Sequence, residues 1–422
     1  MSSFTFEHDE ALSLDEADPL SCLRDEFKIP VGPDGNDQAY FAGNSLGLMP
    51  KKTPSAMHDA LSDWGTRGVR GHFEGEESWY QYDEVVSALQ AELVGAIENE
   101  VGIMGSLTTN LHLLMASFYR PSNGRSKIMI EPHAFPSDRY AAAAQVMWHG
   151  GNPETDVIVI KATDPDRVTV ADLEHTLEEH GDETALALIG GLNYYTGQYH
   201  DIERWMKEFQ RYEITVGLDL AHVIGNVHLN LHDLNVDFAA WCTYKYLNGG
   251  PGSISGYFVH DKHHHDLDLV RLAGWWGNNP ATRFDMHGQE RFIPRQSADG
   301  WKVSNPALFS MVPVKTSLEM FKQVGFDALR ERSIRLTSYL EEGIRSINGV
   351  ESITPTDSDR RGCQISVRVN DDASRMENQL IHVGVVPDAR DPDVLRFAPT
   401  PMYSTFRDIA RAIHELSKLV SR

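Results

Sequence analysis

Between residues 100 and 260 the hydrophobic pattern switches between two periods. Short apolar runs at 127–131, 157–161, 185–192, 215–220, 238–244 and 254–260 read as strands. The stretches 136–148, 171–179 and 201–212 instead place their apolar residues on one helical face. Strands alternating with helices predict an α/β domain with a largely parallel sheet. In such sheets ligands bind outside the carboxyl ends of the strands. Upstream, Asp83 is expected to cap an amphipathic helix carrying Val86, Leu89, Leu93 and Val94. Beyond residue 305 the pattern changes. Residues 306–347 read as long helices, 364–369 and 394–398 as strands, and 404–421 as a final helix. The expected organisation is an N-terminal arm over 1–45 that joins the small domain, a large α/β domain over 46–305, and a smaller α+β C-terminal domain over 306–422.

Two strand ends carry chemistry. Lys245 closes the apolar run that begins at Val236, and Gly249, Gly250 and Gly252 follow it. Lysine is almost never fully buried without a partner. At the mouth of a buried strand it either snorkels to solvent or acts as a desolvated nucleophile able to form a Schiff base. The run from Ile214 ends in Asp219, with His222 three residues on. Singly, Asp219 reads as a helix cap and His222 as a satisfied core histidine. Together, a strand-end Asp and a later strand-end Lys at one edge of a sheet suit pyridoxal phosphate. The lysine would hold the aldehyde, and the carboxylate would keep the pyridinium nitrogen protonated so that the ring is an electron sink.

The cofactor phosphate needs donors. Ser106-Leu-Thr-Thr-Asn110 precedes an apolar helix over 111–118, where hydroxyls and free N–H groups form an anion site. Plain capping fits that local sequence equally well. The segment Gly249-Gly-Pro-Gly-Ser-Ile-Ser-Gly256 reads as a strand connection. Phe135, in the loop after the first strand of this set, is an aromatic available for stacking or for the core.

Composition narrows the classes. The chain has 422 residues, 41% of them hydrophobic and 23% charged, as expected of a globular protein with a sizeable core. Acidic residues outnumber basic ones 61 to 38, a net charge of −23. Such a surface repels nucleic acid and anionic membrane, so an anionic ligand must be held by local donors. The acidic N-terminus lacks a signal-peptide core and no apolar run reaches membrane length. Cys22, Cys242 and Cys363 are odd in number and widely spaced, which points to a reducing, cytoplasmic compartment and against disulfides. His263, His264 and His265 read as a solvated connector, and no metal site is expected.

Ten segments, in order from near residue 40 to near residue 405, give the chain a resemblance to kynureninases. They include Phe41-Ala-Gly-Asn-Ser-Leu-Gly-Leu-Met-Pro50, Ser106 to Leu114, Ala134-Phe-Pro-Ser-Asp138, Tyr194-Tyr-Thr-Gly-Gln198, Asp219-Leu-Ala-His222 and Trp241 to Asn248. Gly274-Trp-Trp-Gly277, Val303-Ser-Asn-Pro306, Arg361-Gly-Cys-Gln364 and Leu395-Arg-Phe-Ala-Pro399 complete the set. The resemblance implies an aspartate-aminotransferase-like, fold-type-I pyridoxal-phosphate enzyme that is a homodimer with its site at the interface. It implies hydrolysis of the Cβ–Cγ bond of L-kynurenine or 3-hydroxy-L-kynurenine, giving anthranilate or 3-hydroxyanthranilate and L-alanine, in tryptophan catabolism and NAD precursor synthesis.

The resemblance also implies roles. Lys245 is the Schiff-base lysine and general base, Asp219 meets the pyridinium nitrogen beside His222, and Phe135 stacks on the ring. Leu107, Thr108, Tyr244 and Trp275, the last from the second subunit, face the phosphate. Asp138 lines the same site, and Tyr244 also donates or relays a proton. Asn305, with the cofactor-binding set, and His72 are substrate-pocket positions near the aromatic ring, where they would hydrogen-bond a 3-hydroxyl. Arg396 partners the α-carboxylate. One departure stands out: Gly190 replaces an expected Ser or Thr, so a hydroxyl contact passes to water or to Asn193. Alternatives of the same fold are a cysteine desulfurase, which needs a reactive cysteine on a mobile loop, and an aminotransferase. A non-catalytic ligand-binding protein is the alternative of another class.

Overall fold

The computed structural model describes residues 8–122 and 124–421, so residues 1–7 of the expected arm lie outside the described residues. The large domain is built on seven strands: β1 (Val101–Ile103), β2 (Lys127–Ile130), β3 (Val157–Val159), β4 (Thr184–Gly190), β5 (Thr215–Asp219), β6 (Phe238–Trp241) and β7 (Gly256–Val259). Their order across the sheet is β1-β7-β6-β5-β4-β2-β3. Every strand is parallel to the others except β7, which is antiparallel to both β1 and β6.

Both faces of this sheet are covered, which is why its strands are apolar throughout rather than alternating. Successive side chains point to opposite faces. Ile128, Ile130, Leu186, Leu188, Phe238 and Ala240 pack into one core with the helices Leu107–Phe118 and Pro136–Trp148. Met129, Ala187, Ile189, Ala239 and Trp241 point the other way, into a core shared with Tyr82–Val94, Ile202–Arg211 and Leu308–Val324.

Three local expectations are corrected. The lysine strand ends at Trp241, not at Tyr244. Past that point the Tyr244 carbonyl accepts the Gly47 N–H (2.8 Å) and the Thr243 carbonyl accepts the Gly249 N–H (2.9 Å), so the chain has left the ladder before Lys245. Asp83 does not cap its helix. It lies in the first turn of Tyr82–Val94, buried, and accepts Lys302 Nζ (2.6 Å) and Trp276 Nε1 (3.1 Å). The histidine connector is anchored rather than solvated: His263 meets Asp237 (2.9 Å), His264 is buried on the Val259 carbonyl (2.9 Å), and His265 alone of the three is exposed.

The C-terminal region forms a four-stranded antiparallel sheet in the order Asp388–Arg390, Val394–Phe397, Ile365–Val369, Val350–Ser352. The helices Phe326–Arg345 and Phe406–Val420 share its core. Gly325, with φ of +87°, breaks the expected long helical stretch into Leu308–Val324 and Phe326–Arg345. The N-terminal helix His8–Ala17 packs on Phe406–Val420, where Asp15 accepts the Phe406 N–H (2.7 Å). Ala39–Tyr40 then pairs in parallel with Val385–Val386.

Candidate active site

A cavity of about 370 Å³ opens at the carboxyl ends of the parallel strands. The fold delivers each wall. Leu107 and Thr108 come from the helix after β1, Phe135 and Asp138 from the loop and helix after β2, Asp219 from the last position of β5, and Tyr244 and Lys245 from the segment beyond β6. Nine of the twelve residues given site roles from the sequence line this one space, those seven, His222 and Arg396, and Gly190 lines it too.

Lys245 Nζ donates to His222 Nε2 at 2.9 Å and lies 5.8 Å from the centroid of the Phe135 ring. His222 is buried. Desolvation, then the charges of Lys245, Arg396 and Arg390, hold its ring well below the usual histidine range, so it is neutral and accepts this hydrogen bond. Asp219 accepts the Ala221 N–H at 2.7 Å. Asp138 faces Asp219. Burial, then the Asp219 charge and the hydrogen bond to it, then the Glu131 charge, push the Asp138 carboxyl well above its ordinary range against a smaller opposing effect of Lys245. A proton is thus favoured on the Asp138 carboxyl. Burial, then Cys242, likewise raises Tyr244, which keeps its phenol proton at neutral pH.

The helix Leu107–Phe118 settles the capping question left open above. Ser106 occupies the cap position, yet its side chain takes no first-turn N–H. Its hydroxyl pairs instead with the Thr109 hydroxyl at 3.0 Å. The N–H groups at the start of this helix remain available to an anion, where the helix dipole favours negative charge. Phe135 is 39% exposed and is held edge-on by Tyr194 (5.0 Å, 88°), which leaves ring surface facing the cavity. An anion cradle, an aromatic face, a carboxylate and an amine in one cavity match the phosphate, ring, pyridine nitrogen and aldehyde of pyridoxal phosphate. Arg396 is 1% exposed. Its Nε and Nη2 donate to Asp388 Oδ1 (3.0 and 2.6 Å) and its Nη1 to the Tyr194 carbonyl (2.7 Å).

Curated relatives match this chain in sequence along nearly their whole length. A kynureninase of Salinispora tropica is 46% identical over 422 residues, covering 98% of this chain and 97% of the relative. One from Stenotrophomonas maltophilia is 43% identical over 412 residues, 96% of each chain. The chain belongs to the kynureninase family. The model of the kynureninase C-terminal domain matches residues 329–416. Solved structures give the fold. A C-DES variant with glycine covalently linked to its PLP cofactor aligns at a TM-score of 0.77 and 16% identity over 93% of this chain and 98% of that one. The cysteine desulfurase CsdA of Escherichia coli aligns at 0.77 and 16% over 94% and 97%. The fold is thus the expected mostly parallel α/β architecture of fold-type-I pyridoxal enzymes.

Three residues expected from the family resemblance do not reach the cavity of their own chain. His72 packs edge-on against Trp79 (5.2 Å), Trp275 against Trp276 (4.9 Å), and Asn305 is exposed. His72 and Trp275 nevertheless belong to one surface aromatic cluster through Phe73 and Phe284, which are 64% and 55% exposed. Sequence reasoning missed Glu131, Arg390 and Tyr194, all of which line the cavity. Glu131 and Tyr194 lie in or beside quoted motifs, but nothing local marks them as site groups. Arg390 is brought in only by the antiparallel pairing of Asp388–Arg390 with Val394–Phe397.

Gly190 also differs from expectation. Asn193 does not replace the missing hydroxyl: its Oδ1 accepts the N–H groups of Tyr195 and Thr196 (both 3.0 Å), and its Nδ2 donates to Glu131 Oε1 (3.3 Å). The Glu131 carboxylate is what stands against Gly190.

Proposed function

We propose that this chain is a pyridoxal-phosphate-dependent kynureninase, hydrolysing the Cβ–Cγ bond of L-kynurenine and 3-hydroxy-L-kynurenine to an anthranilate and L-alanine. The observation that carries the reading is the meeting of Lys245, Asp219, Phe135 and the free helix start in one cavity of a kynureninase-family chain. When bound, pyridoxal phosphate supplies the electron sink for the reaction. The protein's own residues do the rest. His222 Nε2 holds the Lys245 amine in position, and that amine takes the substrate Cα proton as general base. Asp219 is the carboxylate placed for the ring nitrogen, with Asp138 facing it across the cavity lining. Tyr244, kept protonated by burial, is the proton donor when the aromatic acid departs. Arg396 has five N–H groups and uses three on Asp388 and Tyr194, which leaves one on each terminal nitrogen for the substrate α-carboxylate.

For the desulfurase alternative, no cysteine among the described residues lines the cavity, and the exposed Cys22 lies in the N-terminal turn Ser21–Glu26. Cys242 and Cys363 are buried, and burial raises both thiols, Cys363 to about 12. A homodimer supplies what one chain leaves out: Trp275, His72 and Asn305 act from the partner, and their surface position and the exposed aromatics around two of them support this. The enzyme works in the cytoplasm; its cysteines are free, and no helix among the described residues is long and apolar enough to cross a membrane.

Borohydride reduction of the protein reconstituted with pyridoxal phosphate, followed by peptide mass spectrometry, tests the cofactor assignment. The phosphopyridoxyl group is expected on Lys245 and on no peptide of Lys245→Ala, which still folds. Label on another lysine would contradict it.

A further inference from the structure

Glu131 is a buried carboxylate that the mechanism above does not use, yet it lines the cavity beside Asp219 and Gly190. It follows β2 directly. Its Oε2 accepts a hydrogen bond from His200 Nε2, and its Oε1 accepts Asn193 Nδ2 at 3.3 Å. A carboxylate can only accept, so the proton on this contact sits on Nε2. His200 is itself buried and lies flat on Trp205, with ring centroids 4.5 Å apart and planes 17° from parallel. It comes from the turn between Tyr199 and the helix Ile202–Arg211, outside the cavity lining.

Gly190 explains where the carboxylate can sit. A Cβ at this position would lie 2.5 Å from Glu131 Oε1 and 3.3 Å from its Cδ. A side chain there and the carboxylate as His200 holds it cannot share the space. Gly190 is also the register partner of Asp219 across β4 and β5, so the carboxylate is placed next to Asp219 and the Asp138 that faces it. The Glu131 charge is one of the influences that raise Asp138.

We infer that His200 and Glu131 form a positioning couple for which the absence of a side chain at Gly190 makes room. His200 fixes the Glu131 carboxylate, and the carboxylate is the polar group presented to the cofactor beside Asp219. Gly190 and His200 are then two halves of one arrangement. This inference rests on the reading of the cavity as a pyridoxal-phosphate site.

The arrangement predicts that the effect of a hydroxyl at residue 190 changes sign with the residue at 200. His200→Phe keeps a flat ring on Trp205 but removes the donor. The buried carboxylate loses its charge-assisted partner, so cofactor-free protein titrated with pyridoxal phosphate is expected to bind about tenfold more weakly or worse. Gly190→Ser alone pushes the carboxylate off His200 and is also expected to weaken binding, without touching the Trp205 stack. In the His200→Phe background the same serine offers the released carboxylate a new donor and is expected to restore affinity. His200→Gln retains an N–H donor and is expected to bind more tightly than His200→Phe. Melting of the cofactor-free variants separates lost positioning from lost folding. Unchanged affinity in His200→Phe, or a serine that acts alike in both backgrounds, would overturn the couple. Wild-type protein that takes up no pyridoxal phosphate would remove the cofactor reading, and this inference with it.

Discussion

Arg396→Lys isolates the substrate-carboxylate contact. The guanidinium is fixed before any ligand arrives, by two hydrogen bonds to Asp388 and one to the Tyr194 carbonyl. Two N–H groups remain, on different nitrogens of one plane, and they suit the two oxygens of a carboxylate. Lysine keeps the charge but is one point donor, and Asp388 competes for it. The substitution thus removes one to two charge-assisted hydrogen bonds of about 1.5–3 kcal/mol each, partly offset by the retained charge. A net loss of about 2–4 kcal/mol corresponds to roughly 30- to 1000-fold in kcat/KM. The assay is steady-state turnover of L-kynurenine, with binding of the decarboxylated analogue as control. The analogue has no carboxylate, so wild type and variant should bind it alike. A change in kcat/KM below about threefold, or an equal loss for the analogue, would refute the assignment.

Three further outcomes follow from the same geometry. If His72 and Asn305 of the partner hydrogen-bond a 3-hydroxyl, the site discriminates for it; Asn305→Ala should lower kcat/KM for 3-hydroxykynurenine more than for kynurenine, and an unchanged ratio would remove the idea. Mixing inactive Lys245→Ala subunits with Trp275→Ala subunits should rebuild one complete site in each mixed dimer and recover about a quarter of wild-type activity at random association; no recovery on subunit exchange would contradict action in trans. Asp138 has its folded-state pKa raised above the ordinary 3.8, so its contribution to stability is full below that value and is lost as pH rises through the raised one. Asp138→Asn should therefore gain thermal stability over wild type, both cofactor-free, by an amount that grows with pH; a constant difference would count against the raised Asp138 carboxyl.

Periodicity alone located β2 to β7, because strands buried on both faces are apolar throughout. It failed where an element is too short or its apolar side faces out. β1 has only three residues, and Thr53–Arg67 exposes Leu61 and Trp64. Asp83 was misread because a carboxylate in a first turn looks like a cap from sequence, whereas its partners Trp276 and Lys302 are distant in the chain. Site residues at or just beyond strand ends were legible because chain order and sheet edge coincide there, as with Asp219 at the end of β5 and Lys245 a few residues past β6. Glu131 and His200 were not, and Gly190 stood out only as a departure, since their relation exists only once β2, β4 and the turn before Ile202–Arg211 are side by side. The cavity wall from the C-terminal sheet divides in the same way. Arg396 sits in a family motif, and Arg390 gains its place only through strand pairing.

The central claim is hydrolytic Cβ–Cγ cleavage at the Lys245 cavity. The most direct measurement is incubation of the reconstituted protein with L-kynurenine and with 3-hydroxy-L-kynurenine, quantifying the aromatic acid and L-alanine together. Equal amounts of anthranilate or 3-hydroxyanthranilate and L-alanine, absent with Lys245→Ala, are predicted. No product from protein that carries pyridoxal phosphate on Lys245, or products that do not appear in equal amounts, would contradict it.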